Sequence, residues 1–341
     1  MWGKCLFHRP PFLALLTSDQ PHTPVQLSPT AMNGQTPHPV SGARRLRELL
    51  ADTSQPVVAP GVYDGLTARL TLAAGFQCLY MTGAGTSMSR LGMADLGLTT
   101  FTDMHASASM IASIDPSVPV IADADTGYGG PINVRNTVRA YARAGVAGMH
   151  IEDQVQEKRC GHLSGKLLVS REVYYNRLRA ACQARDESGS GIVIIARSDA
   201  AAGKDVDGNG GFDESVERLT KAADIGVDAL FFEAIQSEEQ SKEVIARLPK
   251  VPVLLNMVPG GRTPIVTNER AGELGFRIVI WPTLALEAVV PAVEKALQAM
   301  KKTGRTPEDQ AVGPGALFQK CGLDELMAFD ESVGGKAYNG S

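Results

Sequence analysis

The stretch VPVIADADTGYGG at residues 118–130 joins an apolar run to a cluster of acidic residues and glycines. Its first part, VPVIA at 118–122, is rich in β-branched residues, which is typical of a buried β-strand. A helix is expected to begin near Pro131, because proline suits the first turn of a helix. The stretch therefore predicts a strand, a polar loop and a helix, the repeating unit of a parallel α/β sheet.

Seven other stretches repeat this unit, each with a short apolar run, a polar residue or glycine, and an amphipathic pattern. The seven runs lie at 56–60, 77–82, 147–151, 192–196, 228–232, 251–255 and 277–281. Eight such units predict an α/β fold of the (β/α)8 TIM type, a closed barrel that commonly needs roughly 250 residues. The 341 residues of this chain are enough for one such domain.

The sequence divides into three segments around the predicted barrel, which we place at 43–300. Residues 21–41 are rich in Pro, Thr, Ser and Gln, so we expect a disordered N-terminal arm over 1–42. Residues 301–341 form a polar, Gly-rich C-terminal extension with one short helix predicted at 315–328. We expect this extension to pack on the barrel or on a neighbouring subunit.

The composition excludes several classes of partner. The 33 basic and 37 acidic residues give a net charge of -4 without a basic cluster, so no nucleic-acid partner is expected. No apolar run approaches the roughly 20 residues of a membrane span, so no membrane partner is expected either. Five irregularly spaced cysteines fit neither a disulfide framework nor a zinc pair, which favours a reducing compartment. We expect the cytoplasm, with the mitochondrion as the alternative because residues 1–18 lack acidic side chains.

Polar residues follow the predicted strands, at the end of the barrel where enzymes of this fold carry out their chemistry. Because acidic residues follow three or more strands, their carboxylates should gather at one mouth, which is costly unless a cation is present. The strand-end residues are Tyr63, Asp64, Thr82, Asp123, Asp125, Glu152, Arg197, Glu233 and Asn256.

A divalent metal site is predicted from three of these acids. Asp123 and Asp125 are two residues apart, so on an extended segment both carboxylates would point the same way. With Glu152 they would offer oxygen ligands to Mg²⁺, or alternatively Mn²⁺, and Mg²⁺ prefers one or two carboxylates plus waters and substrate oxygens. The alternative is an aspartate that caps the helix near Pro131, but a cap needs only one acid.

A reactive thiol is predicted within EDQVQEKRCGHLSGK at 152–166. Cys160 stands between Lys158, Arg159 and His162, and neighbouring positive charge favours the thiolate form. So much charge beside Gly161 is typical of a mobile loop, although a free cysteine is more often a small buried hydrophobic residue. His162 either contacts the substrate or only holds the loop.

Two further features suit anionic substrates. Gly83 and Ala84 follow a strand and can offer backbone amides to an anion, while Met88 occupies the position where a dinucleotide fingerprint needs its third glycine. Arg197 can hold a carboxylate through two parallel hydrogen bonds. The alternative for Arg197 and Glu233 is a structural ion pair inside the barrel.

Three motifs together resemble the isocitrate lyase and phosphoenolpyruvate mutase superfamily: ADADTGYGG at 122–130, HIEDQ at 150–154 and KRCGH at 158–162. The similarity covers about 43–300 and is strongest to the short lyase branch, which includes 2-methylisocitrate lyase, dimethylmalate lyase, petal death protein and oxaloacetate acetylhydrolase. The resemblance implies an α/β barrel with magnesium at its mouth. It also implies a homotetramer built from dimers that exchange their last helix.

The resemblance also implies a role for individual residues. Asp123 would bind the metal directly, whereas Asp125 and Glu152 would act largely through waters. Cys160 would be the acid on a gating loop, and the base would be Tyr80, Asp95 or a water on the metal. The implied substrate-binding residues are Thr82, Gly83, Ala84, Gly161, His162, Arg197, Glu233, Asn256 and Thr267.

The expected function is that of a magnesium-dependent carbon–carbon lyase. Its substrate would be a 2-hydroxy di- or tricarboxylate of the 2-methylisocitrate or dimethylmalate type, cleaved to a 2-oxo acid such as pyruvate and a second carboxylate. The alternative is hydrolysis of oxaloacetate to oxalate and acetate, for which the superfamily typically has a serine where Thr267 stands. Phosphonomutases of the superfamily lack the loop cysteine, so Cys160 argues against phosphorus chemistry, and a non-catalytic barrel would have lost these residues.

Overall fold

Eight parallel strands form a closed barrel in the computed structural model, which describes residues 41–161, 163–307 and 312–335. Neighbours in the barrel are also neighbours in the chain, and Val57 pairs with Ile278 where the first and last strands meet. The barrel strands are β1 Val57–Val62, β2 Leu79–Met81, β3 Val120–Asp123, β4 Gly148–Glu152, β6 Val193–Ser198, β8 Ala229–Phe232, β9 Val253–Asn256 and β10 Ile278–Trp281. The short strands β5 Lys166–Leu167 and β7 Gly203–Lys204 form a separate two-stranded sheet. The predicted (β/α)8 barrel is therefore confirmed.

The observed barrel strands begin one or two residues later than the predicted runs. Several predicted starts contain a proline, such as Pro56 and Pro252, which cannot donate a hydrogen bond to a neighbouring strand. At the C-terminal ends of the strands, Glu152 of β4 pairs with Arg197 of β6. These polar residues were expected just beyond the strands but lie within the paired strand ends. The backbone ladder thus holds these side chains more firmly than a loop would.

Helices alternate with the barrel strands and cover the outside of the barrel. They are α1 Gly42–Ala51, α2 Gly65–Ala73, α3 Gly83–Leu91, α4 Phe101–Ile114, α5 Pro131–Arg143, α6 Arg171–Ser188, α7 Phe212–Ile225, α8 Glu238–Arg247, α9 Asn268–Leu274 and α10 Leu284–Thr303. The helix predicted near Pro131 begins at that residue. None of the described helices is long and apolar enough to cross a membrane.

The hydrophobic core has two parts, one inside the barrel and one between the barrel and its helices. The outer part is larger and contains buried side chains from α4 to α9. The inner part includes Ile121, Ile195 and Phe231, all fully buried. Leu46 of α1 also belongs to it and packs against Gly148 at the start of β4. The N-terminal end of the barrel is therefore filled by α1, and the opposite end carries the mouth.

The C-terminal extension differs from its prediction. In place of one helix at 315–328, the structure has α11 Pro314–Lys320 and α12 Leu323–Ser332. Gly322, between them, has a positive φ of 83°, a conformation that ends a helix and that glycine adopts without strain. Neither helix has a buried residue, and the same is true of α10.

Candidate active site

The C-terminal strand ends bring four of the predicted side chains together at the mouth of the barrel. Arg197 lies at the centre, with Nε 3.4 Å from Glu152 Oε2 and Nη2 3.8 Å from Glu233 Oε2. Asn256 Nδ2 donates a hydrogen bond of 3.2 Å to Glu233 Oε2. All of these side chains are buried. Arg197 and Glu233 thus form the ion pair considered as an alternative, and they do so at the mouth.

The acidic segment after β3 does not have the expected extended geometry. Asp125 has a positive φ of 46°, so the chain turns after Asp123 and strand alternation does not aim the two carboxylates. Instead, Asp123 Oδ1 accepts a hydrogen bond of 2.8 Å from the Asp125 amide. A Cβ added at Gly83 would lie 2.3 Å from Asp123 Oδ2, so only glycine leaves room for this carboxylate beside the start of α3.

The carboxyl groups of Asp95, Asp123, Asp125 and Glu152 form an acidic cluster at the mouth. Lys158 neutralises part of this cluster, a role that the sequence did not suggest. Its Nζ lies 2.5 Å from Asp125 Oδ1 and 2.7 Å from Asp95 Oδ1, and the side chain is buried. Burial nevertheless raises the pKa of Asp125 to about 7 against the effect of Lys158, and burial raises the pKa of Glu152 well above its ordinary value. The cluster therefore holds more carboxyl groups than its two cations, Lys158 and Arg197, can keep ionised at neutral pH.

The acidic cluster fits a hard divalent cation. Neither carboxylate oxygen of Glu152 has a hydrogen-bond partner, and its nearest cation is Arg197. Among the described residues no three His, Cys, Asp or Glu side chains converge as a complete ligand set. Mg²⁺ does not require one, since it usually binds one or two carboxylates and keeps several waters. Asp123, Asp125 and Glu152 supply oxygen donors of the right kind at an open barrel mouth.

The loop that carries Cys160 is folded over the mouth. The Cys160 amide donates a hydrogen bond of 3.3 Å to the Asp95 carbonyl oxygen, and the residue is half-buried. A Cβ added at Gly161 would lie 2.7 Å from Arg197 Nη2 and 2.6 Å from Glu233 Cδ, so the loop backbone lies directly on these two side chains. His162 lies outside the described residues. We call the loop that carries Cys160 the thiol loop. The structure therefore brings the thiol loop, the acidic cluster and Arg197 into one site.

A tyrosine–histidine pair lies beneath the acidic cluster. The Tyr80 hydroxyl lies 2.8 Å from His150 Nε2, and His150 Nδ1 is 3.7 Å from Asp123 Oδ1. Burial lowers the pKa of His150 to about 4 and raises the pKa of Tyr80 well above its ordinary value. Both groups are thus neutral at pH 7, and a hydrogen bond joins the Tyr80 hydroxyl and His150 Nε2. His150 was not predicted, although strand alternation places it on the same face as Glu152.

The predicted threonines both cap helices. The Thr82 hydroxyl accepts a hydrogen bond of 3.2 Å from the Gly85 amide at the start of α3, and Thr82 is buried. The Thr267 hydroxyl accepts one of 3.1 Å from the Arg270 amide at the start of α9, and Thr267 is exposed. Either hydroxyl still has its proton free to donate, so a cap does not exclude a contact with substrate.

A buried charged pair supports Arg197 from behind, and sequence reasoning missed it. Asp199 Oδ2 accepts a hydrogen bond of 2.9 Å from Arg197 Nε, and Asp199 Oδ1 accepts one of 2.7 Å from Lys166 Nζ. The Asp199 amide donates in turn to Asp153 Oδ1 at 2.8 Å. Lys166 lies on β5, where the thiol loop ends. The guanidinium of Arg197 is therefore held in one orientation by groups outside the mouth.

Comparison with known proteins identifies similar chains. The family described as phosphoenolpyruvate phosphomutase matches residues 46–301. The 2-methylisocitrate lyase of Aeropyrum pernix is 42% identical over 294 residues, which are 86% of this chain and 91% of that protein. These matches extend over the whole barrel.

Two solved structures resemble this one over nearly their full length. A crystal structure of 2,3-dimethylmalate lyase, a PEP mutase/isocitrate lyase superfamily member, superposes with a TM-score of 0.84 at 51% identity and covers 89% of this chain and 98% of that one. Oxaloacetate acetylhydrolase in complex with the inhibitor 3,3-difluorooxalacetate gives 0.83 at 46% identity, over 87% of this chain and 99% of that one.

The substitution Lys166→Met should destabilise the protein in a pH-dependent way. Burial opposes ionisation of Asp199, but the charges of Arg197 and Lys166 outweigh it and hold the pKa of Asp199 far below its ordinary value. Stability from a lowered carboxyl pKa is present above the unfolded value of about 3.9 and is lost as the pH falls through the folded value. We expect a loss of about 1–3 kcal/mol at pH 7.

This loss should shrink as the pH falls below about 4, because the unfolded aspartate is then protonated. Urea unfolding between pH 7 and pH 3 measures it. Lys204→Met, an exposed lysine on the paired strand β7, is the matched control and should unfold like the unsubstituted protein. Equal stability of Lys166→Met and the unsubstituted protein at pH 7 would show that Asp199 does not need Lys166.

Proposed function

This chain belongs to the PEP mutase/isocitrate lyase superfamily, and from that premise we propose that it is a magnesium-dependent carbon–carbon lyase. Its substrate class is a 2-hydroxy di- or tricarboxylate of the dimethylmalate or 2-methylisocitrate type. The products are a 2-oxo acid such as pyruvate and a second carboxylate. The observation that carries this proposal is the position of the thiol loop, whose Gly161 lies on Arg197 and Glu233 beside the acidic cluster.

The mouth has the groups that recognition of such a substrate requires. Arg197 presents a guanidinium that Asp199 holds in place, and guanidinium binds carboxylate well. The backbone amides of Gly83 and Ala84, at the start of α3, suit a second carboxylate. Asn256, Thr82, Thr267 and His162 complete the proposed substrate-binding set. A magnesium ion held by Asp123, with Asp125 and Glu152 acting largely through waters, would lower the pKa of the substrate hydroxyl and stabilise the developing 2-oxo group.

The proposed reaction is a retro-aldol cleavage. A base takes the proton of the substrate hydroxyl, its oxygen forms the new carbonyl, and the carbon–carbon bond breaks to leave a carbanion next to a carboxylate. Cys160 then gives its thiol proton to that carbon. The candidates for the base are Tyr80, whose pKa is raised by burial, Asp95 and a water on the metal.

A second candidate is the hydrolysis of oxaloacetate to oxalate and acetate. It is favoured by the 46% identity to a solved oxaloacetate acetylhydrolase. Thr267 keeps the hydroxyl of the serine found in that branch, but its added methyl and its role as the cap of α9 restrict its position. Separate measurement of oxalate and pyruvate distinguishes the two activities.

We also propose that the active form is a homotetramer of helix-swapped dimers. The helix α10, Leu284–Thr303, has no buried residue and exposes a series of apolar side chains. The exposed residues are Leu284, Val289, Val290, Val293, Leu297 and Met300. An isolated chain would leave this helix face in water, whereas a second copy with the same face can cover it.

The first test is a substrate panel. With Mg²⁺, 2,3-dimethylmalate, 2-methylisocitrate or 2-methylmalate should each release pyruvate, together with propionate, succinate or acetate respectively, whereas oxaloacetate should release little oxalate. A chelator should abolish turnover, and added Mg²⁺ should restore it, because the proposed ion lowers the pKa of the substrate hydroxyl. Asp123→Ala should remove the response to Mg²⁺. Turnover that persists in chelator would refute the metal proposal, and oxalate as the main product would favour the second candidate.

The substitution Cys160→Ser should lower turnover by about 10² to 10⁴-fold, the usual contribution of a positioned proton donor. Binding of Mg²⁺, measured by calorimetry, should remain unchanged because the thiol is not among the proposed ligands. Cys321→Ser is the matched control, since Cys321 is exposed on the C-terminal extension. Unchanged turnover in Cys160→Ser would exclude the thiol as the acid.

The assembly proposal predicts a mass four times that of the 36.2 kDa chain by light scattering. Val293→Glu and Leu297→Glu place charge on the exposed face of α10 and should shift the protein toward smaller species. Val206→Glu, at an exposed residue of the loop before α7, is the control and should leave the mass unchanged. A monomer as the only species of the unsubstituted protein would contradict the proposal.

A further inference from the structure

The buried side chain of Gln154 is hydrogen-bonded to the backbone of the thiol loop. Its Nε2 donates to the Arg159 carbonyl oxygen at 2.8 Å, and its Oε1 accepts from the Arg159 amide at 3.0 Å. The side chain is fully buried. One amide thus satisfies both backbone groups of the residue that precedes Cys160, as a neighbouring strand would do.

Gln154 is itself held firmly by the barrel. It lies two residues after Glu152, the end of β4, and its carbonyl oxygen accepts a hydrogen bond of 2.8 Å from Arg177 Nη1 on α6. It also forms a β-bridge with Leu168, and the next amide, that of Val155, donates to the Leu167 carbonyl oxygen at 3.0 Å. The loop is therefore anchored at its two ends and, through Gln154, at Arg159.

The residues between these anchors have little burial of their own. Gln156 and Glu157 are exposed, and Val155 is half-buried, so apolar packing does not fix this part of the loop. Beyond it, Lys158 and the Cys160 amide contact Asp95. The two hydrogen bonds of Gln154 therefore act together with the ion pairs of Lys158 and the hydrogen bond of the Cys160 amide to hold the chain around Arg159 over the mouth.

We propose that Gln154 is a positioning residue, which holds Cys160 where its thiol can reach the reacting carbon. This inference rests on the proposed function for what the thiol does, and it adds the residue that places it. Without the side-chain amide, both backbone groups of Arg159 would lose their partner and the loop would move out toward water. Turnover would then fall, while the substrate-binding side chains on the barrel strands, Arg197 and Asn256, stay in place.

The test compares Gln154→Met with Gln156→Met. Methionine has nearly the length of glutamine but makes neither hydrogen bond, whereas Gln156 lies on the same loop, is exposed and accepts only from Thr126 Oγ1. Four quantities are measured: kcat and KM for the best substrate of the panel, and the rates at which iodoacetamide alkylates Cys160 and Cys321 at high pH, followed by mass spectrometry of their peptides. The exposed thiol of Cys321 serves as the internal standard.

In Gln154→Met, kcat should fall at least 10-fold and KM should change less than 3-fold. A 10-fold fall in kcat corresponds to an activation free energy that is higher by about 1.4 kcal/mol. Alkylation of Cys160 should accelerate at least 5-fold, with the Cys321 rate unchanged, because the loop opens. In Gln156→Met all four quantities should stay near those of the unsubstituted protein. A thermal unfolding curve shows whether each variant is folded.

Unchanged alkylation of Cys160 in folded Gln154→Met would overturn the proposal, and so would faster alkylation with an unchanged kcat. If Gln154→Met does not fold, Gln154→Glu replaces it, since glutamate keeps the length and the acceptor for the Arg159 amide but loses the donor. If the unsubstituted protein cleaves no substrate of the panel, the proposed function fails. The alkylation rates still decide whether Gln154 holds the loop.

Discussion

The structure depends on the balance of charge at one end of the barrel. Four carboxyl groups, those of Asp95, Asp123, Asp125 and Glu152, lie within reach of only two described cations, Lys158 and Arg197. Two of the carboxyl groups have raised pKa values as a result of their burial. Such a cluster is unfavourable for folding and persists only where the surrounding fold enforces it. The barrel does so because Asp123 and Asp125 stand at or just beyond the end of β3, Glu152 stands at the end of β4, and Asp95 lies in the loop between α3 and α4.

Much of this arrangement could be predicted from the sequence, because it depends on local patterns. Each barrel strand is a short apolar run, and most of them end in a polar residue or are followed at once by one, so Asp123, Glu152, Arg197 and Asn256 are expected at one mouth, and the structure brings them there. The loop position of Cys160 followed from the charged residues and glycine around it. These predictions needed only the strand period and the rule that parallel strand ends converge.

The remaining features depend on contacts between residues far apart in the chain. Lys158 meets Asp95, and Lys166 meets Asp199, only after the thiol loop has folded against the barrel. The turn at Asp125 places a non-glycine residue in the left-handed region, which no strand pattern predicts. The break between α11 and α12 was missed because the helical pattern was continued through Gly322. Fold and pattern also do not separate the lyase from the hydrolase, since structures of both superpose equally well.

The leucine at the base of the barrel has a consequence for turnover. Because Leu46 of α1 fills the N-terminal end of the interior, molecules cannot pass through the barrel from one side to the other. The substrate and both products must therefore pass through the same opening, and the segment bearing Cys160 lies across it. We therefore expect that segment to swing aside at least once in every catalytic cycle, so that the speed of its motion sets an upper limit on how fast the protein can work.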